Sequence, residues 1–359
     1  MSHVGFRRYG INTGWLVGEK VLRLSVGLFV GVWVARHLGP EQFGLFSYVQ
    51  SFVFIFSVVA TLGLDEIVVR ELVKDPGNGG RLIGTAFCLK FFGAILTLLI
   101  LALAVNLTTN DSYTNLLVFI VASATIFQSF NVIDFYYQSK VLSKYTVYSN
   151  LLALTLSSLS KITLILLNAP LIAFGIVIMV DAIILAGGLI YFYIKTLNLS
   201  LFKWSFSLVT AKSLLRNSWP LILAGFVISI YMKIDQVMIK EMMSVEAVGQ
   251  YAAAVRLSEA WYFIPMVICG SLFPAIVNAR KNNKTIYFKR LQRLYTFMVW
   301  SGIMIAVPVT FFGGWLVSAL YGDAYNQATP VLIIHIWAGV FVFLGVAFNK
   351  FLTAEALVI

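Results

Sequence analysis

Long apolar runs of nearly uniform length, separated by short polar connectors, cover the chain from end to end. Ten of them reach the roughly 20 residues that a helix needs to cross a bilayer. They fall at about 13–35, 43–64, 82–106, 114–137, 147–168, 171–194, 218–240, 250–275, 294–319 and 328–349. None alternates with period two, and all exceed the length of a barrel strand, so the pattern predicts helices. The connectors are turn-like: Leu38-Gly39-Pro40, Asp75-Pro76-Gly77-Asn78-Gly79-Gly80 and Asn168-Ala169-Pro170. The predicted fold class is an all-α integral membrane protein, a multi-span helical bundle.

Composition excludes the alternative of a soluble domain. Of 359 residues, 60% are hydrophobic and 11% charged, against about 25% charged in soluble domains. Too few polar side chains remain to cover a water-exposed surface. The polar, basic first dozen residues lead into an apolar run without a small-residue cleavage site, which predicts an uncleaved first span. Cys88 and Cys269 both lie in apolar runs and read as packing residues rather than a disulfide.

The net charge of +11 acts mainly as a topology signal. One alternating set of connectors carries Arg7, Arg8, Arg70, Lys74, Arg81, Lys140, Lys144, Lys195, Lys203, Lys212, Arg216, the run Arg280 to Arg293, and Lys350. The other set carries only Arg36 and Lys240. This asymmetry predicts cytoplasmic termini on a multi-pass protein. The bases are scattered over short loops, which does not suit nucleic acid; the cluster Arg280 to Arg293 suits anionic lipid headgroups.

A shift of 205 places Asn12 on Asn217, Glu41 on Glu246, Gly44 on Gly249 and Phe46 on Tyr251. A shift of 212 places Asp111 and Tyr113 on Asp323 and Tyr325. These polar matches occupy equivalent connector positions, the signature of an internal repeat. The repeat predicts an N-lobe of six spans over 1–205 and a C-lobe over 206–359 holding four. Six spans per copy give both copies the same orientation, so two parallel-repeat lobes would flank a central cavity. By the same offset, a two-lobe chain with six spans in each would run to about 410 residues or more.

Ionisable residues inside spans carry the functional signal, because each is costly unless it meets a partner or a wet cavity. Lys20, Arg23, Lys90, Lys161, Lys233 and Arg256 are the candidate anion-binding residues. Asp181, Asp235 and Glu259 are the candidate ion-coupling carboxylates. Glu19–Arg23 and Arg256–Glu259 have the spacing of in-helix pairs. Lys90, Lys161, Asp181, Lys233 and Asp235 have no charged partner three or four residues on, which leaves inter-helix ion pairs or a lined cavity. Asp134, close to a span end, can snorkel. His335 on an apolar helix reads as a hydrogen-bonded packing histidine. Pro220, Pro265, Pro274 and Pro308 are expected to kink or break their helices. No nucleophile elbow, phosphate loop or metal motif is present, so no catalytic residue, metal or cofactor is expected.

The stretch Ala35-Arg36-x-Leu38-Gly39-Pro40-Glu41-x-Phe43-Gly44 is followed by Gly63-Leu64 and Arg70-Glu71-Leu72. Further on come Val248-Gly249-x-Tyr251, Arg256-Leu257-Ser258-Glu259, Ser271-Leu272-Phe273-Pro274 and Tyr321-Gly322. In this order the motifs resemble the O-antigen flippases of the Wzx type, polysaccharide transporters in the superfamily of the MATE exporters. The resemblance implies twelve spans, against ten here, and alternating access. It implies transport of an undecaprenyl-pyrophosphate-linked oligosaccharide to the periplasmic face of the bacterial inner membrane. The partners it implies are that lipid-linked substrate, membrane lipids, a polysaccharide polymerase and a chain-length regulator. The rival readings are a MATE-like ion-coupled exporter of small molecules, disfavoured by the basic excess, and a non-transporting component of a polysaccharide assembly complex.

Overall fold

The computed structural model describes residues 3–197, 199–282 and 284–356. The side chains of Arg7, Arg8, Asn12, Pro274, Lys281 and Lys350, and the residue Ile359, lie outside the described residues.

The described chain is helical, with no strand among the described residues. The helices are α1 (His3–Thr61), α2 (Asp65–Lys74), α3 (Gly79–Ala104), α4 (Ser112–Gln128), α5 (Val132–Ser139), α6 (Lys144–Leu166) and α7 (Leu171–Tyr191). They continue with α8 (Leu208–Met242), α9 (Val245–Glu259), α10 (Phe263–Asn282), α11 (Lys284–Tyr321), α12 (Ala328–His335) and α13 (Ala338–Ala356). Among the described residues, nine helical segments are long and apolar enough to cross a membrane. The first contains two of the ten predicted spans. Helix α1 has 59 residues, about 90 Å at 1.5 Å per residue, three times the roughly 30 Å hydrocarbon core. It is broken at Gly39, whose φ of 70° and ψ of 171° leave the helical region. That break separates the first span from the second.

Large apolar side chains stay exposed along the spans, among them Phe29, Trp33, Leu103, Phe311, Trp315 and Phe341. In water such a surface would be untenable; against lipid it is the expected outer face. The expected proline breaks do not occur at Pro220 and Pro308, which lie inside continuous helices α8 and α11. Pro265 sits in the first turn of α10, where its missing N–H costs nothing. The chain also turns at left-handed residues: Gly39, then Leu62 and Gly63.

The chain packs as two units. One comprises Met1–Val30 with Glu41–Val248, the other Gly31–Pro40 with Gly249–Ile359. Helix α8, which the repeat assigns to the C-lobe, packs within the first unit. Ser51 Oγ donates to Gln236 Oε1 at 2.8 Å, and Ser229 Oγ to the Ile55 carbonyl at 3.3 Å. The first unit has a core from α2, α3, α5 and α7, built on Leu64, Val68, Ile83, Val132, Tyr137 and Leu189. The second has its own core from α10, α11 and α13, including Cys269, Tyr287, Met298 and Phe343.

Helix α4 starts at a well-defined cap. Asp111 Oδ1 accepts the Thr114 N–H at 3.0 Å. Hydrogen bonds from Thr114, side chain and backbone, hold the Asp111 carboxyl below the usual carboxylate range. Asp111→Ala should cost about 1 kcal/mol, the ordinary worth of an N-cap. Since the folded carboxyl is the more acidic one, the cap contributes fully above the ordinary carboxylate range. Its contribution is lost as pH falls through the folded value. Denaturation of wild type and variant from pH 7 to pH 3 should show the two curves converging at the acid end.

Candidate functional site

A polar cavity of about 420 Å³ opens in the first unit, at the end that carries the basic connectors. Helix α2 supplies Asp65, Glu66, Val69 and Arg70. The turn before α5 supplies Asn131, and α5 itself Asp134, Phe135 and Gln138. Helix α6 adds Thr146 and Asn150, and α7 closes the wall with Leu185 and Leu189. Eight of these twelve residues are polar, in a chain that is 60% hydrophobic. Buried polar groups are retained only where they are paired or wet.

The local sequence explains each wall. The left-handed turn at Leu62 and Gly63 ends α1, and the acidic pair Asp65-Glu66 occupies the first turn of α2, where the helix dipole favours negative charge. Tyr137 Oη donates to the Leu189 carbonyl at 2.8 Å, tying α5 to α7. Gly188 lets α7 approach α6 closely: a Cβ there would lie 3.0 Å from Ser149.

Two ionic groups dominate. Lys90 of α3 is 4% exposed. Its Nζ donates to Asp65 Oδ1 at 3.0 Å and lies 4.8 Å over the Phe135 ring. Asp65 itself faces the cavity mouth, its side chain 58% exposed. Asp134 accepts from Thr146 Oγ1 through one oxygen and from Gln138 Nε2, at 2.8 Å, through the other. Asp134 is therefore held by neutral donors inside the protein, not snorkelling from a span end.

None of the nine residues selected from the sequence lines this cavity; Lys90 adjoins it through Asp65. Arg23 pairs with the buried Glu19 at 2.7 Å, as the spacing predicts. Glu19 also lines a second hollow of about 430 Å³ with Gly14, Trp15, Gly18, Leu22, Val147 and Leu151. Lys20, on the same helix, is exposed. Lys161 on α6 and Asp181 on α7 are half-buried, as are Lys233 and Asp235 on α8. Asp235 Oδ1 accepts the Gln236 N–H at 2.7 Å.

In the second unit, Arg256 on α9 lies against Gly31, where a Cβ would come within 2.8 Å of its Nη1. Glu259 is half-buried three residues on. His335 Nδ1 is 3.0 Å from Ser258 Oγ, the hydrogen-bonded packing position expected for it.

Sequence reasoning passed over Asp65, Glu66, Arg70 and the neutral polar residues of the cavity. The available signal was the Asp65-Glu66 pair, acidic residues in a connector set counted only for its Lys and Arg.

The model of a family described as "Polysaccharide biosynthesis protein" matches residues 10–280. No curated protein sequence matches the chain. Several solved structures share the fold at low identity. An inward-facing multidrug resistance MATE family transporter of the MOP superfamily aligns with a TM-score of 0.68 and 13% identity, covering 92% of this chain and 83% of its own. The eukaryotic MATE transporter AtDTX14 aligns at 0.65 and 12% identity, covering 98% and 84%. A MOP superfamily transporter from Pyrococcus furiosus, described as having a binding pocket of reverse polarity, aligns at 0.59 and 13% identity, covering 97% and 84%.

Proposed function

The chain belongs to the polysaccharide biosynthesis protein family, and from that premise we propose that this membrane transporter is a flippase for lipid-linked oligosaccharide. Its substrate is an undecaprenyl-pyrophosphate carrier bearing a sugar repeat unit. It moves that substrate by alternating access from the cytoplasmic to the periplasmic face of the bacterial inner membrane, with its N-terminus in the cytoplasm. The observation that carries this reading is the family match over residues 10–280.

The residues supply a suitable chemistry. Lys20, Arg23, Lys90, Lys161, Lys233 and Arg256 place cations within apolar spans, where a charge-assisted contact to phosphate is strong. The hollow beside Gly14 and Gly18 is walled mainly by Trp15, Leu22, Val147 and Leu151, an apolar lining suited to a polyprenyl chain. Asp181, Asp235 and Glu259 are the proposed sites of ion coupling, because protonation or cation binding there changes the local charge by one unit. The six- and four-span lobes, 1–205 and 206–359, remain the proposed moving parts. Polymerase and chain-length regulator are the proposed partners.

The test is complementation of a flippase-null strain by Arg23→Ala, Lys90→Ala and Lys233→Ala. At least one should reduce surface polysaccharide about tenfold or more, the worth of one lost charge-assisted hydrogen bond of roughly 1.5–3 kcal/mol. Lipid-linked units should then accumulate on the cytoplasmic face. Full surface polysaccharide in all three variants would remove the anion-binding role. Asn or Gln at the three carboxylates addresses coupling: transport that keeps its ion dependence excludes them.

A further inference from the structure

The charge balance of the first-unit cavity does not suit a phosphate. Its lining carries three carboxylates, Asp65, Glu66 and Asp134, and one base, Arg70, with Lys90 adjoining. Lys90 is committed to Asp65 at 3.0 Å, and Arg70 Nε donates to Glu71 at 3.0 Å, outside the lining. An entering anion would meet uncompensated carboxylate. A metal ion fits no better, because no group of three or more His, Cys, Asp or Glu side chains converges as a metal site among the described residues.

What the lining offers is a mixture of acceptors and two-way groups. Asp65, Glu66 and Asp134 accept; Asn131, Gln138 and Asn150 both donate and accept through planar amides; Thr146 carries a hydroxyl. Each oxygen of Asp134 already has one donor and keeps a lone pair directed to a second. Val69, Phe135, Leu185 and Leu189 make up the apolar remainder of the lining. A ligand that matches must carry several adjacent hydroxyls together with C–H surface. It must be neutral and small enough for about 420 Å³, within the usual range of small-molecule sites. A pyranose ring has that description.

We infer that the cavity between α2, α5, α6 and α7 is a sugar-binding subsite, beside Lys90 but separate from the other cations proposed to hold the pyrophosphate. Asp134 and Asn150 pair with vicinal hydroxyls, and Leu185 and Leu189 cover the ring's apolar face. This inference rests on the proposed flippase reading for its biological meaning. Its binding test stands apart from that reading.

The experiment uses the full chain purified in detergent. Saturation-transfer difference NMR is recorded with free glucose, galactose, rhamnose and N-acetylglucosamine at millimolar concentration, with inorganic pyrophosphate and sodium titrated separately. At least one sugar should bind, and Asp134→Asn and Asn150→Leu should each weaken it about tenfold. Pyrophosphate affinity should stay within twofold in both variants. Melting temperatures and gel filtration show that the variants are folded; should Asp134→Asn fail to fold, Glu66→Gln takes its place. Absence of binding by every sugar, or sugar binding unchanged in the folded variants, overturns the proposal. So does sodium binding that disappears with Asp134→Asn while no sugar binds. A chain that rescues the flippase-null strain yet binds no sugar here loses this subsite and keeps the transport reading. One that binds sugar here but fails to rescue loses the transport reading alone.

Discussion

Asp65→Ala is expected to destabilise the protein by about 3 kcal/mol, the low end of the roughly 3–5 kcal/mol seen when one partner of a buried ion pair is removed. The two partners are not equivalent. The Lys90 side chain is 5% exposed and that of Asp65 58%. Without Asp65, the Lys90 ammonium keeps the face of Phe135 at 4.8 Å, worth about 0.5–2 kcal/mol, and the longer-range attraction of the Asp134 carboxylate, which together do not replace water and a carboxylate at 3.0 Å. Without Lys90, by contrast, Asp65 turns into the cavity and is solvated. Lys90→Met, which preserves the packed volume of the stem, should therefore cost about 1 kcal/mol or less. The double variant Asp65→Ala/Lys90→Met should be more stable than Asp65→Ala alone, because the stranded charge is gone. Denaturation of the four proteins in one detergent measures the cycle. Equal losses for the two single variants would mean that Lys90 is not the desolvated partner.

That asymmetry marks the limit of what the sequence made legible. Lys90 stood out because an ammonium inside an apolar run is costly wherever the run folds. Its partner did not, since Asp65 lies 25 residues away in a connector, and only the packing of α2 beside α3 brings them to 3.0 Å. The neutral cavity residues are harder still. Asn131, Gln138, Thr146 and Asn150 sit near helix ends, where polar residues are ordinary. They become a site only because α5, α6 and α7 close around them. Glu19–Arg23, within one helix turn, was readable from spacing alone.

The same division runs through the fold. Spans were legible because a bilayer imposes a minimum length on every one of them. The break between the first two was legible as Leu38-Gly39-Pro40, and it falls at Gly39. Pro220 and Pro308 do not break α8 and α11, because neighbouring helices and local adjustments can re-satisfy the backbone groups a proline frees, whereas the interruption between α9 and α10 falls just before Pro265. The placement of α8 was not legible. An internal repeat records likeness of sequence, whereas the packing of α8 follows side-chain contacts such as Ser51–Gln236.

Gly63→Val should be among the most damaging single substitutions in the first unit, at about 2–5 kcal/mol. Two independent costs add. Gly63 has φ of 58°, and a β-branched residue there carries about 1–2 kcal/mol of left-handed strain. A Cβ at this position would also stand 2.9 Å from Leu221 Cβ, 3.1 Å from the Ile222 nitrogen and 3.2 Å from the Leu221 carbonyl carbon. Two of these are backbone atoms of α8 and cannot swing aside, so α8 must move, at about 1–3 kcal/mol for overpacking. Gly39 shows backbone strain without crowding. Its φ of 70° and ψ of 171° lie in a region essentially reserved for glycine, and no atom lies within 4 Å of a Cβ built there. Gly39→Ala should therefore carry backbone strain alone, about 1–3 kcal/mol. Gly63→Ala should carry about 1–2 kcal/mol of left-handed strain and, in addition, the cost of the contact with α8. Denaturation of the three variants in one detergent decides the matter. A Gly63→Ala loss no larger than that strain would show that α8 yields freely at Leu221, and that the turn after the second span is not held by close packing.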